Sequence, residues 1–476
     1  MLFPTLSFAL FFVVVFMANW LLRPRAIEWR IAMLAASFFF YGWWNWKFLF
    51  LLGGSIVGNW FLGQMVVDAE GEHGATQRSR AVVSGAVALN LLVLGVFKYY
   101  GFFVEELHAQ FGSAADFIPM KEITLPVGIS FFTFQAMSYV IDIGRGQIKT
   151  MPLLDFAVYL SFFPQLVAGP IVRASEFAPQ LAERPDPRHV QSAEAFRLIF
   201  GGLFKKVVIS TYLASEIVDE VFNIPEAYSG PEILVAVYAY AIQIYADFSG
   251  YTDIAIGVAL LLGFRFPQNF NAPYTALSIQ DFWRRWHITL SNWLRDYLYI
   301  PLGGNRGSKL FTYRNLLLTM LLGGLWHGAA WNFVIWGAIH GGMLALERAV
   351  SEWRTTQGME PLLPPRASKV VRWLFTFHVV CLAWIFFRAE TFDQATTMIT
   401  GIFDWGSGSE LVTPLLLLVI VGSILSQFVP ADAVKRAEGW FSEVGWALQG
   451  VALGIGIVLV DILGPEGVAP FIYFQF

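Results

Sequence analysis

The chain has 476 residues, of which 56% are hydrophobic and only 14% charged, and its mean hydropathy of +0.57 lies above the range of soluble domains. This excludes a water-soluble enzyme and assigns an integral membrane protein; the formal net charge of −4 says little about partners, because in a membrane protein the location of charge matters more than the sum, and no nucleic-acid partner is expected. A single cysteine, Cys381, excludes intramolecular disulfides, Cys-rich metal sites and resolving-cysteine chemistry.

Lipid accepts only helices or closed barrels, and the period-two alternation of a barrel is absent, so the fold class is an all-α polytopic bundle. At roughly 20 apolar residues per crossing, the chain predicts about nine to eleven membrane-embedded segments, several of them short or polar. Met1 to Leu22 carries no charged side chain and reads as a retained first span. Arg23, Arg25 and Arg30 follow it, which by the positive-inside tendency puts the N-terminus outside. Ile31 to Leu52 is interrupted by an aromatic cluster, Tyr41 to Lys47, of the kind found at a membrane boundary. Ser55 to Val67 reads as a short or tilted segment, Asp68 to Arg80 as a polar loop, Ala81 to Phe97 as membrane material and Glu105 to Glu122 as an outward loop.

Leu125 to Gly146 is apolar but flecked with Ser130, Thr133, Gln135, Ser138 and Asp142, which predicts a cavity-lining or re-entrant segment. Pro164, Gly169 and Pro170 break the next apolar run before it crosses. Residues 173 to 206, with Arg184-Pro-Asp-Pro-Arg188, read as an aqueous loop, and Val207 to Ile217 and Ile233 to Phe264 return to the membrane. Between Arg265 and Arg314 seven Lys or Arg stand against two Asp, which predicts the cytoplasmic side. Leu316 to Leu346 then reads as one crossing, followed by Val370 to Phe387, Leu411 to Phe428 and Trp446 to Leu463. There is no internal repeat and no separate soluble domain, so residues 1–476 read as one membrane domain.

Two histidines stand where apolar surroundings should not hold them. His287 lies in DFWRRWHITLSNWLRDYLYIP, where Phe282, Trp286, Leu290, Trp293 and Tyr297 predict one amphipathic helix. Arg284, His287, Ser291 and Arg295 form its polar stripe, and spacing alone makes His287 structural. His327 lies in LLGGLWHGAAWNFVIWG, among glycines four apart that let backbones approach closely. An imidazole at that depth is either a general base or a donor to a neighbouring helix carbonyl, and the glycines, with Trp326 and Trp331 as walls, favour the base. Asp247 and Asp253 line a path for substrate or protons, or pair with an arginine such as Arg284 or Arg285; pairing is the simpler reading. His340 and His378 read as helix contacts. The basic stretch with Arg284, Arg285, Arg295, Arg306 and Lys309 suits phosphates, although ordinary positive-inside charge explains any one of them. No spacing of His, Cys or carboxylates suggests a metal.

Taken together, FFPQLVAGPIVR, YADFSGYTDIAIG, FRFPQNFNAPY, SIQDFWRRWHITLSNWLRDYLYIPLGGNR, LWHGAAWNFVIWG and the terminal FIYFQF resemble the membrane-bound O-acyltransferase family. The resemblance runs from Phe97 to the C-terminus, is nearest the bacterial alginate O-acetyltransferase branch, and extends to the related D-alanyl transferase of lipoteichoic acid. It implies a ring of helices around a central tunnel in the bacterial inner membrane. It also implies two catalytic histidines, with His327 as the base and His287 positioning the donor or stabilising the oxyanion. Arg284, Arg285, Ser291, Arg295, Trp326, Asn332 and Asp247 become candidates for holding the substrates. The implied donor is acetyl-CoA or another activated acyl group, with no bound cofactor. The implied partners are a periplasmic acyltransferase or acceptor protein and, downstream, a polysaccharide. A proton-coupled transporter would use the same intramembrane residues but predicts repeats, and a non-catalytic export subunit leaves the histidines without a role.

Overall fold

The computed structural model describes residues 1–71, 74–112, 118–119, 123–183, 185–360, 363–406 and 410–463. The terminal FIYFQF and Arg184 lie outside the described residues. Among the described residues the secondary structure is helical, with one isolated bridge between Gly71 and Gly74 and no strand. Among the described residues six helices are long and apolar enough to cross a membrane: Phe48–Asp68, Gln77–Phe111, Ser192–Asn223, Gly230–Leu261, Trp331–Thr356 and Pro365–Arg388. The bent pair Pro414–Ser426 and Ala431–Glu443 makes a seventh if it counts as one span. The chain is an all-α polytopic membrane protein, and its backbone groups into two compact units.

The first unit comprises Met1–Ile199 and Ile254–Pro267. The aromatic cluster separates two helices, Ala26–Gly42 and Phe48–Asp68, so the expected short segment from Ser55 is part of a 21-residue helix. The expected loop from Glu105 is helical as far as Phe111. The polar-flecked run becomes the helix Ile129–Gly144, in which Ser130, Thr133, Gln135, Ser138 and Asp142 are all buried. Its polar side chains face protein, the one place where a membrane protein tolerates them. The run that follows breaks at Phe162 into the short helices Leu153–Ser161 and Phe163–Leu166, too short to cross.

The second unit comprises Phe200–Asp253 and Gln268–Phe476 and holds both histidines. Residues expected to form an aqueous loop include the helix Ser192–Leu203, which runs into π-helical turns over Phe204–Ser210. Leu316 to Leu346 is not one crossing. The helix Lys309–His327 ends at its histidine, and after Gly328 to Ala330 the chain resumes as Trp331–Thr356. The glycines explain the reversal. A Cβ on Gly324 would lie 2.1 Å from the Phe333 carbonyl oxygen and one on Gly337 would lie 2.4 Å from that of Met320. The two helices therefore form a hairpin whose backbones touch, which only glycine at these places permits.

Candidate active site

His327 is the C-terminal residue of its helix and is buried. Three aromatic rings wall it: Trp326 at 5.0 Å between centroids, Trp336 at 4.9 Å and Phe387 at 5.1 Å, all edge-on. His287 is fully buried, with Phe248 edge-on at 4.7 Å and Trp326 at 6.2 Å. Trp326 thus contacts both imidazoles. Residues 40 apart in sequence meet around one indole.

The amphipathic helix expected around His287 is broken there. Short helices run over Ile279–Trp283 and Ile288–Leu294, and His287 between them has φ 41° and ψ 54°. This left-handed conformation costs a non-glycine residue about 1–2 kcal/mol. The apolar stripe survives the break, because Phe282, Trp286, Leu290, Trp293 and Tyr297 are all buried. The polar stripe does not: Arg284 and Arg295 are exposed, whereas His287 turns inward.

Neighbouring backbone holds the turn. The amide of Ile288 donates to the Asn269 carbonyl at 2.9 Å, and that of Asn271 donates to the Arg285 carbonyl at 2.9 Å. The Asn269 side chain completes the clamp. Its Oδ1 accepts from the Thr289 amide at 3.1 Å and the Thr289 hydroxyl at 2.9 Å, and it lies 3.2 Å from His287 Nδ1. A backbone amide can only donate, so the atom facing Thr289 is the oxygen of the Asn269 side chain. Burial pushes the His287 imidazole, which lies between the candidate spans, down to about 3, so the ring is neutral at ordinary pH.

A cavity of about 1380 Å³ opens beside this cluster, and Ile288, the residue after His287, lines it together with Trp283, Ser291 and Met320. Arg284 and Arg295 also line it, and so do Arg348, Arg354 and Arg372. Arg285 does not. Its guanidinium pairs with Asp281 at 2.8 Å and reaches the Asn271 carbonyl and the Thr275 hydroxyl. Asn332 is buried and donates to the Ala389 carbonyl at 2.7 Å, away from the cavity lining. Asp247 is paired, as the simpler reading had it, but with Lys206 and not with an arginine. Asp253 pairs likewise with Lys205. The π-helical turns carry both lysines.

Sequence reasoning quoted the segment holding Asn269 without singling the residue out, and it missed Arg348, Arg354 and Arg372. Arg348 and Arg354 share the helix Trp331–Thr356, Arg372 lies on Pro365–Arg388 and Asn269 on no helix, and no spacing rule joins them; the signal available was only that an Asn stands in a motif and that arginines stand on and after the second helix of the hairpin. Among the described residues no group of three or more His, Cys, Asp or Glu is placed to hold a metal. Cys381 is buried.

The model of the membrane-bound O-acyltransferase family matches residues 87–387. The chain is 42% identical to the "Probable alginate O-acetylase AlgI" of Azotobacter vinelandii, with 100% of both chains covered. It is 39% identical to the "Peptidoglycan O-acetyltransferase" of Helicobacter pylori, covering 78% of this chain and 73% of that one. It is 27% identical to the "Teichoic acid D-alanyltransferase" of Bacillus subtilis, covering 66% and 79%. With the family model spanning well over half of its length and a relative of that identity aligned from end to end, this chain belongs to the membrane-bound O-acyltransferase family and is a membrane O-acyltransferase.

Proposed function

We propose that this enzyme takes an acetyl group from acetyl-CoA on the cytoplasmic side and passes it toward an acceptor on the far side of the bacterial inner membrane, for O-acetylation of an exported polysaccharide such as alginate. The observation that carries this reading is the pair of buried imidazoles joined by Trp326 beside an arginine-lined cavity. The names of the relatives support the acetyl group and the glycan. In this reading His327 removes the proton of the acceptor hydroxyl as its oxygen attacks the thioester carbonyl. The C–S bond then breaks, and the proton passes to the leaving CoA thiolate. Guanidinium groups at the cavity, those of Arg284 and Arg295 among them, hold the phosphates of the donor, and Ser291 on the same wall contacts it. His287 positions a reactant, and Trp326 keeps the two imidazoles apart and dry. Arg285, Asn332 and Asp247 support these elements through their own pairings. The N-terminus faces outward, and a periplasmic acyltransferase or acceptor protein receives the acetyl group.

The test is transfer of radiolabelled acetyl from acetyl-CoA in membranes containing the wild-type chain or its His327→Ala form, at equal folded protein. Label should move in the wild type and not in the variant. Transfer that survives His327→Ala would remove the base from the mechanism, and an inert wild type supplied with periplasmic extract would remove acetyl-CoA as donor.

A further inference from the structure

We infer that Asn269 is a positioning residue for the acyl transfer proposed above: by accepting the Nδ1 hydrogen of His287 it fixes that imidazole as the Nδ1–H tautomer and leaves Nε2 as the ring's hydrogen-bond acceptor. The inference rests on that functional reading for its catalytic consequence, but its structural half stands without it.

The argument is one of donors and acceptors. Asn269 is 1% exposed, and its orientation is fixed because Oδ1 meets the backbone amide of Thr289 at 3.1 Å and the Thr289 hydroxyl at 2.9 Å. An amide oxygen has no hydrogen to give. The His287 nitrogen 3.2 Å from it must therefore carry one. In a neutral imidazole the second nitrogen then holds the lone pair. The burial of the ring keeps it neutral. His340 shows the opposite arrangement in the same unit: Trp283 Nε1 donates to its Nδ1 at 3.3 Å, so there Nε2 carries the hydrogen.

The consequence narrows the role of His287. A neutral imidazole with Nε2 as acceptor donates nothing to an oxyanion. It accepts a hydrogen bond instead, from a donor group of the reactants other than the acceptor hydroxyl, whose single hydrogen goes to His327. The left-handed turn at His287 fits the same account, because the Asn269 carbonyl and side chain together take three successive groups of the turn, at residues 287, 288 and 289. Strain at such a place persists only where surrounding structure over-determines it.

The experiment uses the full chain in lipid nanodiscs with ¹⁵N-labelled histidine, read by solid-state NMR, and assigns the His287 signals by their loss in His287→Gln. Wild type should show a protonated Nδ1 and a bare Nε2 at neutral pH; Asn269→Leu should lose that preference and Asn269→Asp keep it. In acetyl transfer, Asn269→Leu should lower kcat about 10²-fold or more with little change in KM for the donor. Asn269→Asp should retain most of kcat and move the acid limb of the pH profile upward, because a carboxylate against Nδ1 favours the protonated ring. A purely structural asparagine would move neither the tautomer nor the pH profile. A hydrogen on Nε2 of His287 in the wild type overturns the inference, and so does an Asn269→Leu enzyme with unchanged kcat. If Asn269→Leu does not fold, the wild-type spectrum and the Asn269→Asp profile decide alone. Should the wild type move no acetyl at all, the functional reading fails while the spectrum still decides the tautomer.

Discussion

The second unit accommodates polar groups in two contrasting ways. Along Gly230–Leu261, Asp247 and Asp253 are each met by a lysine, Lys206 and Lys205, so charge is cancelled where it stands. A turn-and-hairpin away, His287 and His327 are surrounded by the rings of Phe248, Trp326, Trp336 and Phe387. A neutralised ion pair has spent its chemistry on holding the fold, whereas an imidazole against aromatic faces keeps a nitrogen suited to proton transfer. The contrast predicts opposite outcomes for mutation. His327→Ala should lower acyl transfer by about 10²–10⁴-fold, or about 3–5 kcal/mol on the barrier, with the folded fraction unchanged by size-exclusion chromatography and thermal melting. Lys206→Met should do the reverse. It leaves Asp247 buried without its cation, at a cost of about 3–5 kcal/mol, so the melting temperature falls while the protein that remains folded still transfers. Replacing both partners together, Lys206→Met with Asp247→Leu, should restore much of the stability. A Lys206→Met enzyme that melts normally but does not transfer would move this pair to the catalytic side of the comparison.

Between these extremes lies the hairpin that carries His327. Gly337→Ala places a methyl group 2.4 Å from the Met320 carbonyl oxygen, so the helices must part. The expected cost is about 1–3 kcal/mol of stability, together with a fall in kcat, because His327 moves with its helix. Gly342→Ala, on the same helix but with nothing near its Cβ position, should alter neither. Equal melting temperatures for the two variants would mean that the close approach does not hold the hairpin.

Much of this was legible in the sequence, and the limits were local. Composition gave the membrane class, and the three-four spacing of Phe282, Trp286, Leu290, Trp293 and Tyr297 correctly named a buried stripe. It could not reveal that one left-handed residue breaks the helix, because apolar spacing survives such a turn while the polar stripe loses its histidine. The glycines around His327 did signal close backbone approach, but the same spacing serves two neighbouring helices or a single hairpin, and the chain direction decides which. Carboxylate partners were misjudged for a related reason. Lys205 and Lys206 lie in a stretch that read as the edge of an aqueous loop, and only the π-helical turns show where their side chains go. Asn269 was invisible to periodicity, since it acts across 18 residues on a segment outside any helix.

The smallest expected effect separates two adjacent side chains that sequence treated alike. Arg284 and Arg285 both stood as candidates for the phosphates of the donor, yet only Arg284 lines the cavity, while Arg285 is held by Asp281, the Asn271 carbonyl and the Thr275 hydroxyl. A guanidinium that meets the donor equally in ground and transition states contributes uniform binding, so its loss raises KM and spares kcat. Arg284→Ala should therefore raise KM for acetyl-CoA by about tenfold or less, near 1 kcal/mol, with stability unchanged. Raised salt should weaken the wild type toward the variant, since the contact is exposed. Arg285→Ala should leave KM alone and lower the melting temperature slightly, because a half-buried ion pair near the surface contributes about 1 kcal/mol. If Arg285→Ala raises KM and Arg284→Ala does not, the donor enters from the side of the Asp281 pair and the cavity is not its route.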